Sequence, residues 1–274
     1  MRFASVLHDG EPRVVAYVDG VPRIVEGSRE LGRETDAEWL ASAPGRLGPE
    51  VEEASLVRRP TVPVPARIVC LGLNYRAHVE ETGRELPEYP VLFVKWASSL
   101  VAAGEEVALP PESHQVDYEG ELAVVIGRRG RRIPRERALD HVAGLTVAND
   151  VTMRDYQYET HQWLQGKAWE RSTPLGPDLV TLEETGDPGS LRIALSLNGE
   201  EMQSSTTERL IFDIPTIVEI VSEFTTLEVG DVLLTGTPGG VGYRREPKVL
   251  LAPGDETTVT IENVGSLTNT FAAE

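Results

Sequence analysis

Gln115-Val116-Asp117-Tyr118-Glu119-Gly120-Glu121-Leu122-Ala123-Val124-Val125-Ile126-Gly127 is the stretch on which the reading of this chain turns. Its second half, Leu122 to Ile126, is a short apolar run rich in β-branched residues and closed by Gly127, the pattern of a buried strand. If one strand runs through the whole stretch, its side chains alternate, so Asp117, Glu119 and Glu121 share one face while Tyr118 and Gly120 take the other. Up to three carboxylates then stand side by side. Like charges so placed repel unless a cation lies between them, and carboxylate oxygens are the preferred ligands of a hard ion such as Mg²⁺, Mn²⁺ or Ca²⁺. A solvated strand edge is the ordinary alternative. Against it, the carboxylates lead straight into a run that reads as fully buried, where unpaired charge is costly.

A third ligand lies further on. Leu145 to Ala148 is another short apolar run, ending in Asn149-Asp150-Val151-Thr152-Met153-Arg154-Asp155. Asp150 falls at a strand end, ahead of a segment whose pattern predicts a helix from Met153 to Trp163. An Asp at such a junction is ordinarily an N-cap. Together with Glu119 and Glu121 it also offers three oxygens to an octahedral ion, leaving positions for water and a chelating substrate.

The chain has 274 residues, 40% of them apolar, enough for one large domain or a main domain with a small appendage. A formal charge of −18, spread along the chain, repels phosphate backbones and anionic lipid, so neither nucleic acid nor a membrane is expected as a partner. The single cysteine, Cys70, sits in an apolar run and reads as a small buried hydrophobe. Met1 to Leu7 lacks the form of a signal peptide and no apolar stretch approaches the ~20 residues of a membrane span, so a cytoplasmic location is expected.

Working outward, Phe3 to Leu7, Val14 to Val18 and Arg23 to Val25 read as strands, with Asp9-Gly10 and Asp19-Gly20 as hairpin turns. Arg59-Pro60-Thr61-Val62-Pro63-Val64-Pro65 forms an extended connector, which divides the chain into a small N-terminal domain, residues 1–60, and a main domain, residues 61–274. The main domain alternates short strands with two or three helices without the regularity of a doubly wound fold. Arg192 to Leu197 is a strand followed by the turn Asn198-Gly199, Ile214 to Phe224 has apolar residues at helical spacing, and Leu227 to Thr235 and Thr257 to Ile261 return to strand.

Three further groups carry chemistry. If Tyr75 to Thr82 is helical, His78 and Glu81 lie three apart on one face, and the carboxylate can orient the imidazole and raise its basicity; a surface ion pair is the alternative. Arg154, Gln157 and Lys167 lie downstream of Asp150 and suit the gripping of a carboxylate or a developing oxyanion. The glycine-rich loop Leu234-Thr235-Gly236-Thr237-Pro238-Gly239-Gly240-Val241-Gly242 lacks the Gly-Lys-Ser/Thr ending of a P-loop and is read as bringing backbone N–H groups and the Thr237 hydroxyl to a small anionic ligand.

Taken together these residues resemble the fumarylacetoacetate hydrolase family. The resemblance rests on Asn74-Tyr75-x-x-His78-x-x-Glu81, Phe93-Val94-Lys95, Asp117-Tyr118-Glu119-Gly120-Glu121-Leu122, Asn149-Asp150-Val151-Thr152-x-Arg154-Asp155-x-Gln157, Gly166-Lys167, Pro174-Leu175-Gly176-Pro177, Ile211-Phe212-Asp213-Ile214-Pro215 and Gly230-Asp231-Val232-Leu233-Leu234-Thr235-Gly236-Thr237-Pro238. It implies an α+β, β-rich fold, a mixed β-roll with a small N-terminal β domain, assembled as a homodimer. It implies Mg²⁺ or Mn²⁺ held by Glu119, Glu121 and Asp150, a lid carrying His78 and Glu81 that orders over a keto-acid substrate, and a substrate site lined by Lys167, Gln157 and Thr237. One departure is Trp169-Glu170 after the lysine, where members often have Phe-Asp.

The chemistry so implied starts from an enolate stabilised at the metal. Water delivered by the dyad would make the chain a hydrolase of a β-diketo acid of the acylpyruvate or fumarylpyruvate type, and this is the first expectation because water activation is the dyad's most direct use. The alternative without water is decarboxylation or isomerisation of an oxaloacetate-like or unsaturated 2-oxo diacid. A catalytically inactive keto-acid binder is the remaining possibility, opposed by the complete set of acid, base and ligand residues.

Overall fold

Asp9-Gly10, Asp19-Gly20 and Asn198-Gly199 all adopt left-handed backbone, with φ of 52° and 77°, 51° and 80°, and 51° and 83°. That is what a two-residue type I′ hairpin turn demands, and its twist matches that of the flanking strands. The computed structural model, which describes residues 1–274, accordingly opens with a meander of β1 (Arg2–His8), β2 (Glu11–Val18) and β3 (Val21–Val25). A short helix follows, α1 (Ala37–Ser42), whose N-cap Asp36 accepts the amide N–H of Trp39 at 2.7 Å. Then come β4 (Leu47–Glu50) and β5 (Leu56–Arg58).

Past the proline-rich connector the chain runs through β6 (Ile68–Gly72), α2 (Arg76–Thr82), β7 (Val91–Lys95), β8 (Leu100–Val101), β9 (Val107–Leu109), β10 (Val116–Asp117), β11 (Gly120–Ile126), β12 (Val142–Asn149) and β13 (Thr152–Met153). Next are α3 (Arg154–Gln157), α4 (Leu164–Lys167), β14 (Thr173–Val180), α5 (Leu182–Thr185), β15 (Arg192–Leu197), β16 (Glu200–Thr206), α6 (Ile214–Phe224), β17 (Val232–Leu234), β18 (Glu256–Ile261) and β19 (Gly265–Ala273). The fold is β-rich and mixed. A twelve-stranded sheet runs β4-β3-β2-β1-β14-β12-β11-β17-β6-β7, with β5 on β1 and β8 on β14; β16-β15-β18-β19-β9 forms a five-stranded sheet, and β10 pairs only with β13. Most pairings are antiparallel, but β17–β6, β14–β8 and β19–β9 are parallel. The N-terminal strands extend the large sheet through β1 against β14, and Phe3 and Val14 bury into the same apolar cluster as Cys70 and Ala123.

β11 and β12 form the centre, and every residue of both is buried. The main core gathers Leu122, Val124 and Ile126 of β11 with Ile193 and Leu195 of β15 and the buried face of α6, namely Ile214, Ile217, Val218 and Val221. α6 spans the predicted residues because its N-cap Asp213 accepts the N–H of Thr216 at 3.0 Å and Pro215 sits in its first turn.

Three expectations are corrected. The 115–127 stretch is two strands: Tyr118 and Glu119 are unpaired, and β10 and β11 belong to different sheets. The helix expected over 153–163 is cut to the single turn α3; a second turn, α4, begins only at Leu164, and the two pack so closely that a Cβ on Gly166 would fall 2.5 Å from the Cα of Gln157. The strand expected over 227–235 shortens to β17, since Gly230 is left-handed with φ 83° and Asp231 folds back to accept the N–H of Glu228 at 2.9 Å. No helix is long and apolar enough to cross a membrane.

Candidate active site

The break after Asp117 builds the site. Glu119 donates its N–H to Asn149 Oδ1 at 3.0 Å and accepts the N–H of Asp150 on its own carbonyl at 2.8 Å. Glu121, one pleat into β11, lies opposite Ala148 of β12. Glu119, Glu121 and Asp150 are therefore all buried, and one carboxylate oxygen from each lies within 4.8 Å of the others. Asp117 is held apart from them. Its oxygens accept the N–H groups of Gly242 at 2.8 Å and Tyr243 at 3.1 Å and take the Arg154 Nε–H at 2.8 Å.

Three cations face these carboxylates. Lys95 donates to Asp150 Oδ1 at 2.6 Å, and Lys167 reaches both Glu119 Oε2 and Asp150 Oδ2 at 2.7 Å. Arg154 bridges Asp117 and Glu119, its Nη2 lying 2.7 and 2.6 Å from their oxygens as an ion pair rather than as an aligned hydrogen bond. Burial alone would raise the Glu119 carboxyl, but Lys167 and Arg154 outweigh it and hold Glu119 at about 2. Burial likewise would lower the Lys167 ammonium, and Asp150 and Glu119 reverse that and keep it charged. Glu121 has no such partner. Its Oε2 accepts only the Gly236 N–H at 2.7 Å, and burial, then the charges of Asp150 and Glu119, push its carboxyl well above the usual range. Four buried carboxylates thus meet three buried cations, and the uncompensated charge sits on the residue whose two neighbours already offer oxygens to an ion. An all-oxygen, net-negative cluster fits a hard divalent cation.

The dyad forms the opposite wall. α2 stops at Gly83, left-handed with φ 69°, and His78 Nδ1 lies 2.6 Å from Glu81 Oε1. Glu81 is fixed in turn, its Oε2 accepting the Gly240 N–H at 2.8 Å. The start of α2 is anchored by Asn74, which donates to the carbonyls of Thr235 at 2.8 Å and Phe212 at 3.0 Å and accepts the Phe212 N–H at 2.8 Å. Between dyad and carboxylates lies a cleft that His78, Glu119, Arg154, Gln157, Lys167 and Thr237 all line. Its free volume is about 20 Å³, room for about one water molecule, so a substrate needs the lining side chains to give way.

Of the nine sequence-predicted residues, six line this cleft, Glu121 and Asp150 cluster with Glu119, and Glu81 stands behind His78, in relations the sequence did not give. Lys167 and Arg154 are committed to carboxylates, whereas Gln157 uses only its Oε1, on Arg154 at 2.9 Å, and keeps its amide N–H₂ for a ligand. The glycine-rich loop is corrected: its Gly236, Gly240 and Gly242 N–H groups serve Glu121, Glu81 and Asp117 rather than an outside anion, and Thr237 donates its hydroxyl to the Gly120 carbonyl at 3.0 Å. Sequence reasoning quoted Lys95 in the Phe93-Val94-Lys95 motif but gave it no role; it is fully buried on Asp150, at the end of the apolar run of β7. Sequence reasoning missed Gln203, which accepts from Gly120 N and donates to Thr237 Oγ1 at 2.8 Å.

Residues 67–272 match the family model described as fumarylacetoacetate (FAA) hydrolase C-terminal. The chain is 47% identical over 207 residues to the oxaloacetate tautomerase FAHD2A, mitochondrial, of Bos taurus, a match covering 75% of this chain and 66% of that protein. It is 40% identical over 252 residues to the oxaloacetate tautomerase YisK of Bacillus subtilis, covering 90% and 84% of the two chains. Among solved structures, 5-carboxymethyl-2-hydroxymuconate delta-isomerase from Mycobacterium smegmatis superposes over all of both chains with a TM-score of 0.84 at 30% identity.

Proposed function

The chain belongs to the fumarylacetoacetate hydrolase family, and from that membership we propose that it is an isomerase which interconverts the keto and enol forms of an oxaloacetate-like 2-oxo acid. The observation that carries the reading is the His78–Glu81 dyad facing the carboxylate–lysine cluster across a cleft too small for bulk water. The names of the relatives favour proton transfer over the carbon–carbon hydrolysis that the dyad alone suggests.

In the ketonising direction the enol O–H proton passes to water, its bonding electrons make the C2=O bond, and the C2=C3 π electrons take a proton at C3; the reverse direction breaks the C3–H bond. With Nδ1 tied to Glu81, Nε2 of His78 is the nitrogen left to exchange the C3 proton. Glu81 orients the ring and stabilises the imidazolium that forms, and Gly240 keeps Glu81 in place. Gln157 presents its free amide donors to the oxo or enol oxygen, and Lys167 keeps a positive charge beside it. A divalent ion, Mg²⁺ or Mn²⁺, held by Glu119, Glu121 and Asp150 would supply Lewis-acid polarisation of the 2-oxo group. Assembly as a homodimer belongs to the same proposal and rests on the family resemblance.

The test is one Mg²⁺-loaded preparation assayed on the enol of oxaloacetate and on a series of acylpyruvates. Accelerated enol decay with little acylpyruvate cleavage is expected. Efficient acylpyruvate cleavage without enol acceleration overturns the reading and restores hydrolysis.

A further inference from the structure

Three permanently charged cations line the cleft: Arg84, Arg154 and Lys167. Arg154 and Lys167 are buried and saturated by Asp117, Glu119 and Asp150. Arg84 differs: its side chain is exposed and joins no ion pair or hydrogen bond, and its one partner is the face of Trp163, 5.8 Å from guanidinium carbon to ring centroid. Trp163 meets Phe93 edge-on at 5.7 Å, and the Lys167 ammonium stands 5.0 Å over the Phe93 ring. An aromatic pair therefore separates an inner cation from an outer one. Trp163 holds its place because residue 72 is glycine; a Cβ there would fall 2.2 Å from the Trp163 ring.

The backbone of Arg84 is set by the helix that carries the dyad. Gly83 donates its N–H to the Glu80 carbonyl and Arg84 donates to Val79 at 3.4 Å, the paired bonds of a Schellman motif. The Arg84 backbone is thus tied to the helix that carries His78.

We propose that Arg84 binds a second, distal carboxylate and so selects dicarboxylic 2-oxo acids over monocarboxylic ones. This rests on the isomerase reading for the chemistry at the inner end, but not for the recognition at the outer end. A four-carbon diacid carries charge at both ends of a short carbon bridge, one for the inner cations and one for the outer. An unspent guanidinium is the residue for a bidentate carboxylate.

Calorimetric titration of the Mg²⁺-loaded protein with malate and with 2-hydroxybutanoate tests this, because the two differ only in a distal carboxylate against a methyl and neither is turned over by keto–enol chemistry. One charge-assisted contact at the mouth of the cleft should favour malate about tenfold in the wild type. In Arg84→Met the preference should vanish while the affinity for 2-hydroxybutanoate stays, and Arg84→Lys should restore part of it. A wild type with no preference, or a variant that weakens both ligands equally, overturns the assignment. Because binding alone is read, failure of enol turnover with the malate preference intact would overturn the isomerase reading and leave Arg84 its role.

Discussion

The two walls of the cleft are built on opposite principles. On the inner wall Lys95, Lys167 and Asp150 are almost wholly buried, and each charge has its counter-charge in place. On the outer wall α2 is seven residues long, its Glu81 is partly exposed and Arg84 just past its end fully so, and it is tied down through Asn74 at one end and Gly240 at the other. The contrast teaches a division of labour. Electrostatic stabilisation of a developing charge works best from groups that do not have to reorganise, whereas a group that exchanges protons with a substrate gains from a wall that can open.

The largest effect that can break this contrast is at Asp150. Asp150→Ala strands the buried Lys95 ammonium and leaves Lys167 with Glu119 alone, so it should destabilise the protein by about 3–5 kcal/mol and abolish divalent-ion binding. Thermal melts with and without Mg²⁺ read both effects, and unchanged melting with normal ion affinity would remove the inner wall from the site. His78→Ala comes next. It should cost about 10²- to 10⁴-fold in enol turnover with ion affinity and melting temperature unmoved, the signature of a group that acts only on substrate protons. Glu81→Gln should cost less, roughly fivefold to tenfold, since a neutral partner replaces a charge-assisted one. A loss as large as that of His78→Ala would mean that Glu81 holds the wall together rather than tuning the base.

The smallest effect has an unusual sign. The folded-state carboxyl of Glu121 is raised above its ordinary 4.5 by burial and by the charges of Asp150 and Glu119, so the folded protein binds its proton more tightly than the unfolded chain does. Stability from this group is complete below about 4.5 and is lost as pH rises toward the folded value. Glu121→Gln, which mimics the protonated form, should make the metal-free protein at pH 7 as stable as the wild type or slightly more so, while Mg²⁺ ceases to raise its melting temperature. Denaturant titrations at pH 5 and pH 7 check this. A variant that is less stable without metal would show that the Glu121 charge is compensated after all.

The same contrast explains what the sequence disclosed. Hairpins at Asp-Gly and Asn-Gly, helix α6 with its Asp213 cap, and the dyad at helical spacing are local features, fixed by residues near one another in the chain. The inner wall is not local. A single strand through 115–127 satisfies every local preference, and it breaks at Tyr118-Glu119 because Arg154 and the Gly242 N–H claim Asp117 while Asn149 claims Glu119. α3 and α4 separate because Gly166 packs directly against Gln157, a contact between turns that periodicity cannot register. The role of Lys95 stayed hidden because a lysine at the end of an apolar run reads as a strand leaving the core, whereas this one points inward to Asp150, 55 residues away. β19 escaped notice although Leu267, Asn269 and Phe271 alternate inward.

Proton transfer at C3 by His78, above an ion-binding inner wall that it does not support, is tested most directly by stopped-flow decay of the oxaloacetate enol, with the Mg²⁺-loaded wild type and His78→Ala compared beside their Mn²⁺ affinities. The expected result is rapid enol decay in the wild type, a loss of about 10²-fold or more in the variant, and equal Mn²⁺ affinity in both. Equal decay rates in the two proteins, or a variant that loses its ion along with its activity, would contradict it.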